Sequence, residues 1–369
     1  MNYQRSKKLA LQWGTPVLLL SLRQLQRNYH QLAAALPGVG LYYALKANPA
    51  VELVRTLSAA GCCFDVSSNG EIDITRNCGI EPARCIHTHP VKTDASIRYA
   101  LDYGIDTFVV DNIDEARKMI PYAKRASLLV RMSIQNPACV VNLSHKFGVA
   151  PAKTFALIEE ITRCGLHIRG ISFHIGSQSD NSLKMIEALE YCRDIYRMAA
   201  LRNIDFDLLD IGGGFPITYL STVQPIGQFC RPVNEYLERF FGMYRVIAEP
   251  GRYLCGPALT LATTVTGKSL RNGVWWYYLD EGIYGTFSGK IYDHVDYEMQ
   301  HGRTGTKHLS TLAGPTCDSF DVIYENIELP LLEIGDILTF HNVGAYTSAS
   351  ASTFNGFEKA RIVPVTRLP

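Results

Sequence analysis

The chain has 369 residues, 36 of them basic and 35 acidic, for a formal net charge of +1. A balance this close to neutral excludes a field that gathers nucleic acid or an anionic membrane. No apolar run reaches transmembrane length, and the length suffices for two domains with separate cores. The ten cysteines (62, 63, 78, 85, 139, 164, 192, 230, 255 and 317) form no Cys-x-x-Cys pair. Scattered through apolar contexts, they read as reduced thiols of a cytoplasmic protein rather than as a disulfide framework or a zinc site. Lys7 and Lys8 precede only a short apolar stretch broken by Pro16, so no signal peptide is expected.

Residues 15–20 have strand character and are expected to pair into a β domain formed later in the chain. From residue 41 to 252 one pattern repeats: a short β-rich run, a turn, then an amphipathic segment. The runs are 41–47, 62–67, 85–90, 107–111, 127–133, 168–177, 207–214 and 245–252. Helical stretches such as 51–60, 69–77, 113–122, 154–164 and 183–201 lie between them. Apolar strands alternating with helices predict a parallel sheet covered by helices. Eight repeats suit a closed (β/α)₈ barrel. The competing open doubly wound sheet lacks its Gly-x-Gly-x-x-Gly after the first strand. Beyond residue 252 helical periodicity is scarce. Strands are expected at 260–266, 274–279, 311–313, 337–340 and 361–364, in a barrel or sandwich. The expected division is a barrel over 21–252, with 1–20 plus 253–369 forming the β domain.

In a (β/α)₈ barrel, function gathers at the C-terminal ends of the strands, and there the unusual residues fall. Lys46 closes the first run. A single lysine there is ordinarily a rim side chain that snorkels to water, but in a partly desolvated pocket it can form a Schiff base with an aldehyde. Asp65, Arg131, His174 with Ser177, Gly212-Gly213-Gly214, and Glu249 with Arg252 end five further runs. The triple glycine leaves backbone N–H groups open to a phosphate, and Arg252 can add a charged fork. Glu249 can keep the ring nitrogen of pyridoxal phosphate (PLP) protonated, so that the ring serves as an electron sink. His174 can stack flat on that ring. His87-Thr88-His89 invites a metal reading, but no carboxylate or cysteine cluster stands at ligand spacing, and no metal is expected.

These residues lie in Tyr43-Ala44-Leu45-Lys46-Ala47-Asn48, Phe64-Asp65-Val66-Ser67-Ser68, Phe173-His174-Ile175-Gly176-Ser177, Gly212-Gly213-Gly214-Phe215-Pro216 and Glu249-Pro250-Gly251-Arg252-Tyr253. Gly314-Pro315-Thr316-Cys317-Asp318 and the run 344–357 complete the set. Together they resemble the fold-type III PLP decarboxylases of ornithine, lysine, diaminopimelate and arginine, related in fold to alanine racemase. The resemblance covers nearly the whole chain and is nearest to the compact bacterial ornithine/lysine enzymes.

It implies a PLP-dependent carboxy-lyase. Lys46 would hold the cofactor's aldehyde, and Glu249 would pair with the ring nitrogen, where the racemases place an arginine. His174 would stack on the ring, and Asp65 and Arg131 would support it. Ser177, Gly212, Gly213, Gly214, Arg252 and Tyr346 would hold the phosphate. Cys317 would reprotonate the α-carbon after crossing a homodimer interface into the neighbouring site. Asp318 and Asp293 would take the substrate's distal ammonium, with Tyr292 and Phe354 at the same end. The substrate implied is L-ornithine, giving putrescine, or lysine, giving cadaverine. The run Cys317-Asp318-Ser319-Phe320-Asp321 departs from the pattern of diaminopimelate decarboxylases and argues against that substrate. Phe320 leaves open a larger carboxylated amine of siderophore or antibiotic synthesis. From a different class, an inactive homologue that binds protein partners is the alternative; retention of Lys46, Glu249, Arg252, Cys317, Asp318 and Tyr346 argues against it.

Overall fold

The computed structural model describes residues 1–136, 139 and 145–365. The last four residues of the expected β domain, and seven within the expected barrel, lie outside the described residues. The chain divides into two compact units: 26–216 with 223–253, and 1–25 with 217–222 and 254–369.

The first unit is a closed barrel of eight parallel strands. They are β1 (Gly40–Ala44), β2 (Cys63–Val66), β3 (Cys85–His87), β4 (Thr107–Val110), β5 (Ser127–Ser133), β6 (His167–His174), β7 (Leu208–Asp210) and β8 (Arg245–Ala248). Closure runs through Gly40 against Ile247 and Leu41 against Ala248. Period-2 alternation sends Tyr42, Ile86, Val109, Leu129, Leu208 and Ile247 into one buried layer. Five of the eight strands stop three or four residues before the sequence pattern does, because the residues that follow belong to the loops at the barrel mouth.

Local signals set the helices between the strands. Ser68 accepts from Glu71 N at 3.3 Å, and Glu71 reaches back to Ser67 N at 2.6 Å, a capping box at the start of Asn69–Asn77. Thr93 caps Asp94–Tyr103, which ends on Gly104 at φ 108°. The helix Ile226–Phe241 carries Pro232 in its interior and buries Phe229, Val233 and Leu237.

The second unit is built on an eight-stranded mixed sheet. Its long strand, Leu259–Arg271, pairs in its first half with Val17–Ser21 and Ile337–His341. After an irregularity between Val265 and Gly267 it pairs with Val274–Leu279. Val274–Leu279 runs parallel to Lys307–Ala313, and Val322–Pro330 follows at the edge. Arg361–Val365 lies parallel to Val17–Ser21. The unit is not purely β: the chain opens with a helix, Tyr3–Trp13, that Asn2 caps by accepting from Arg5 N. The strand Val322–Pro330 has no counterpart in the sequence reading; its outward Glu325, Asn326 and Glu328 interrupt the apolar pattern.

Candidate active site

At the barrel mouth, Lys46 lies not in β1 but in a 3₁₀ turn, Leu45–Ala47, immediately after it. The turn is held from below. Tyr43 O–H donates to the Asn48 carbonyl at 2.9 Å, and Asn48 Oδ1 accepts from Ala50 N at 3.1 Å. Pro49 disfavours helical backbone at Asn48. The Lys46 side chain, 40% exposed, reaches Asp65 Oδ2 at 2.5 Å, while Asp65 is fully buried. The other Asp65 oxygen accepts from Thr88 O–H. A buried carboxylate with both oxygens engaged holds the amine at one place in the mouth.

Glu249 follows β8 and is buried. Its Oε1 has no hydrogen-bond partner among the described residues, and neither does Oδ2 of the neighbouring Asp210. Burial, with the Asp210 and Asp65 carboxylates next in weight, pushes the Glu249 carboxyl well above the usual carboxylate range. Burial also pushes Asp210 up, to about 6. Ionising Glu249 beside the Asp210 and Asp65 carboxylates in this buried place is costly. A group presenting a cationic N–H would relieve that cost.

His174 ends β6. Its Nδ1 accepts from Gly176 N at 3.0 Å, which leaves the ring proton on Nε2. Burial first, then Arg131 and Lys46, lowers its pKa to about 3, so the ring is neutral. The Arg131 guanidinium lies over the Phe147 ring at 5.7 Å.

The glycine loop departs in one respect from the expected three open donors: Gly212 N donates to Asp210 Oδ1 at 2.8 Å. The N–H groups of Gly213 and Gly214 have no partner among the described residues. Gly212 takes φ 65° and Gly214 φ 104°; a Cβ at Gly212 would run into the backbone at the end of β6, and one at Gly214 into the Gly176 carbonyl just after it. Arg252, also buried, donates to Ser177 Oγ from NH2 at 3.0 Å and from Nε at 3.3 Å. Two N–H groups, a hydroxyl and a guanidinium thus stand on the loops that follow β6, β7 and β8, donors of the kind that hold an anion. An amine, an unpartnered acid and an anion cradle on one barrel mouth fit PLP at its aldehyde, ring nitrogen and phosphate.

Two residues of this layer escaped the sequence reading. Asp210 carried a signal, since it stands two residues from the inward Leu208 and, with only Ile211 between, just ahead of the glycines. Glu71 was not singled out; burial pushes it up to about 7, with Asp65 the next contributor that raises it. The histidines of His87-Thr88-His89 part company: His87 packs on Phe108 and His89 on Phe147, with ring centroids 5.7 and 5.6 Å apart.

The remaining candidates belong to the β unit. Tyr346 sits at φ 55°, a left-handed conformation that is costly for an aromatic residue. Its carbonyl accepts from Ser350 Oγ at 3.1 Å, and Thr347 Oγ1 donates to Val343 O at 2.6 Å. Cys317 is exposed, with its N–H on Asn355 Oδ1 at 3.0 Å. The Phe320 N–H at 3.0 Å, and then the Tyr284 hydroxyl, lower the Asp318 carboxyl below its ordinary value. Tyr284 also stacks on Phe354, with centroids 4.4 Å apart. Tyr284, Tyr292, Phe320 and Phe354 line a cavity of about 510 Å³. Asp293 is buried, in contrast to Asp318 and the exposed Tyr292. Tyr284, which holds Asp318, was also absent from the sequence reading.

A closed parallel barrel with these groups on its mouth, together with a separate β unit, defines the fold-type III class of PLP enzymes. The family profile described as pyridoxal-dependent decarboxylase, pyridoxal binding domain, matches residues 22–256. A lysine/ornithine decarboxylase of Selenomonas ruminantium is 39% identical over 97% of this chain and 91% of its own. The crystal structure of lysine/ornithine decarboxylase from Vibrio vulnificus complexed with cadaverine superposes with a TM-score of 0.93 at 42% identity, covering 98% of this chain and 95% of that one. SrLDC in complex with PLP and cadaverine gives 0.93 at 37%, covering 99% and 94%. The chain belongs to the pyridoxal-dependent decarboxylases and is a PLP-dependent carboxy-lyase acting on an amino acid. No described helix is long and apolar enough to cross a membrane.

Proposed function

We propose that this enzyme decarboxylates a basic diamino acid, L-ornithine or L-lysine, as a cytoplasmic homodimer whose active sites draw residues from both subunits. The observation that carries the chemistry is the buried Glu249 carboxyl, its Oε1 unpartnered, within electrostatic reach of Lys46 on the same barrel mouth.

When bound, PLP supplies an aldehyde that captures the substrate amine and a protonated ring that withdraws electrons as CO₂ leaves. Lys46 would hold the aldehyde until substrate displaces it, with Asp65 and Thr88 fixing the amine's position. Glu249 would keep a proton on the ring nitrogen. Neutral His174 would cover the ring face without placing a second cation beside it. Gly213 N–H, Gly214 N–H, Ser177, Arg252 and Tyr346 would bind the phosphate.

From the partner subunit, Asp318 would bind the distal ammonium, with Asp293 supplying a second carboxylate to the same cation, and so orient the α-carboxylate. Two carboxylates suit a terminal cation, and the Tyr284 hydroxyl keeps Asp318 ionised and aimed. Cys317 would then deliver a proton to Cα.

The test is CO₂ release from ornithine, lysine, arginine and diaminopimelate, with D-isomers included. Turnover of ornithine or lysine well above the others is expected. Preference for arginine or diaminopimelate would overturn the substrate reading. Asp318→Ala should raise KM for the diamino acid with the cofactor still bound, and an unmoved KM would show that the distal amine is read elsewhere.

A further inference from the structure

Asp321 lies three residues beyond Asp318 and is buried, yet no lysine or arginine pairs with it among the described residues. Its carboxylate is held by three neutral donors. Oδ1 accepts from Ile283 N at 2.8 Å; Oδ2 accepts from Thr316 N at 3.1 Å and Thr316 Oγ1 at 2.8 Å. Its backbone adds two more links: Asp321 N donates to Asp318 O at 3.0 Å, and Gly314 N donates to Asp321 O at 2.8 Å. A Cβ at Gly282 or Gly314 would overlap the carboxylate. Both glycines therefore leave room for this one side chain.

The carboxylate ties two loops together. One, through Ile283, leads directly to Tyr284. The other, through Thr316, leads directly to Cys317 and Asp318. Tyr284 O–H then meets Asp318, closing a ring of contacts. We propose that Asp321 is a positioning residue that locks the Tyr284 loop to the Cys317–Asp318 loop and so sets where the proton donor stands. It touches neither substrate nor cofactor and acts through Cys317 and Asp318. The inference rests on the role given to Cys317 above.

Asp321→Asn preserves shape but supplies only one acceptor atom, so its NH₂ must face a donor on one of the two loops. The holoenzyme of this variant should keep the wild-type visible absorbance and cofactor affinity, because the barrel end is untouched. Its product mixture should shift. A proton delivered to a carbon other than Cα leaves the substrate nitrogen with the cofactor, and water then supplies the oxygen of an aminoaldehyde. That aldehyde, as a fraction of total product, should rise about tenfold, the factor equivalent to 1.4 kcal/mol, with KM raised as well. In a Cys317→Ser background, which itself raises the aldehyde fraction, adding Asp321→Asn should change the ratio less than about twofold. A folded Asp321→Asn enzyme with lowered kcat but an unchanged product ratio overturns the inference while leaving the role of Cys317 standing. So do effects that multiply in the double variant. An unchanged ratio in Cys317→Ser alone removes the role of Cys317, and the inference with it. Should Asp321→Asn not fold, Thr316→Val, which removes only the hydroxyl donor, must move the ratio in the same direction; a normal ratio there counts equally against it.

Discussion

The carboxyl at position 249 is buried beside two other acids, an arrangement that stabilises no apoprotein and makes sense only for a cationic guest. Removing it should leave cofactor capture by Lys46 intact and weaken the electron sink. Loss of one charge-assisted pairing of about 1.5–3 kcal/mol corresponds to roughly a 10- to 100-fold loss in kcat. Glu249→Ala is therefore expected to keep the absorbance band and lose turnover by that factor; loss of the band with full affinity for PLP would contradict the assignment. Lys46→Ala should do the converse, losing the band and the turnover together, and a variant that kept full activity would refute its role. Lys46 and Glu249 were legible in the sequence because charged residues at strand ends stand out in an apolar pattern. Asp210 was not singled out, since an acid before glycines also caps turns; its role became visible only when β7 and β8 brought it against Glu249.

Among the elements, the 3₁₀ turn Leu45–Ala47 is the one whose geometry the amine depends on. It rests on Tyr43, fully buried, donating to the Asn48 carbonyl. Tyr43→Phe removes that donor and little volume, and should cost about 1 kcal/mol of stability. Because the loosened turn carries Lys46, cofactor affinity should fall in parallel, which equilibrium dialysis would measure. The sequence pattern shows a strand running through to Ala47, because Leu45 and Ala47 are as apolar as the strand itself. Where the strand stops is decided by a hydrogen bond five residues long and by Pro49, neither of which alters hydropathy. The helix Tyr3–Trp13 leaves no apolar pattern for a related reason: polar and basic residues fill most of its length, and its start is set by the Asn2 cap, which does not alter hydropathy.

For the whole molecule, several carboxyls have folded-state pKa values above their unfolded ones. Glu281 is buried and pushed up to about 7, chiefly by burial; its unfolded value is about 4.3. Between those values the folded chain binds more protons than the unfolded one, so stability falls as pH rises, and the loss levels off above pH 7. Glu71 and Asp210 act with the same sign. Denaturant unfolding of the cofactor-free protein should therefore show higher stability at pH 5 than this group of acids permits at pH 8. Glu281→Gln should recover on the order of 2 kcal/mol of the difference; an unchanged slope would mean that Glu281 is ionised throughout. The proposed shared sites make a separate prediction. Random mixing of Lys46→Ala and Cys317→Ala subunits yields heterodimers for half of the dimers, each with one intact site, so about a quarter of wild-type activity should return. No recovery would mean that each subunit completes its own site.

Alternating strand and helix signals, and polar residues at regular strand ends, were enough by themselves to establish a parallel barrel and most of the groups on its mouth, because both rest on local periodicity and on chemistry that is rare in apolar surroundings. Only the tertiary structure decided which acids are buried together, which glycine N–H groups remain open and which side chains hold others in place. Asp65 with Thr88, Asp210 with Glu249, and Asp321 with Ile283 and Thr316 are pairings made by burial and by the closure of one element on another, and no local pattern records them.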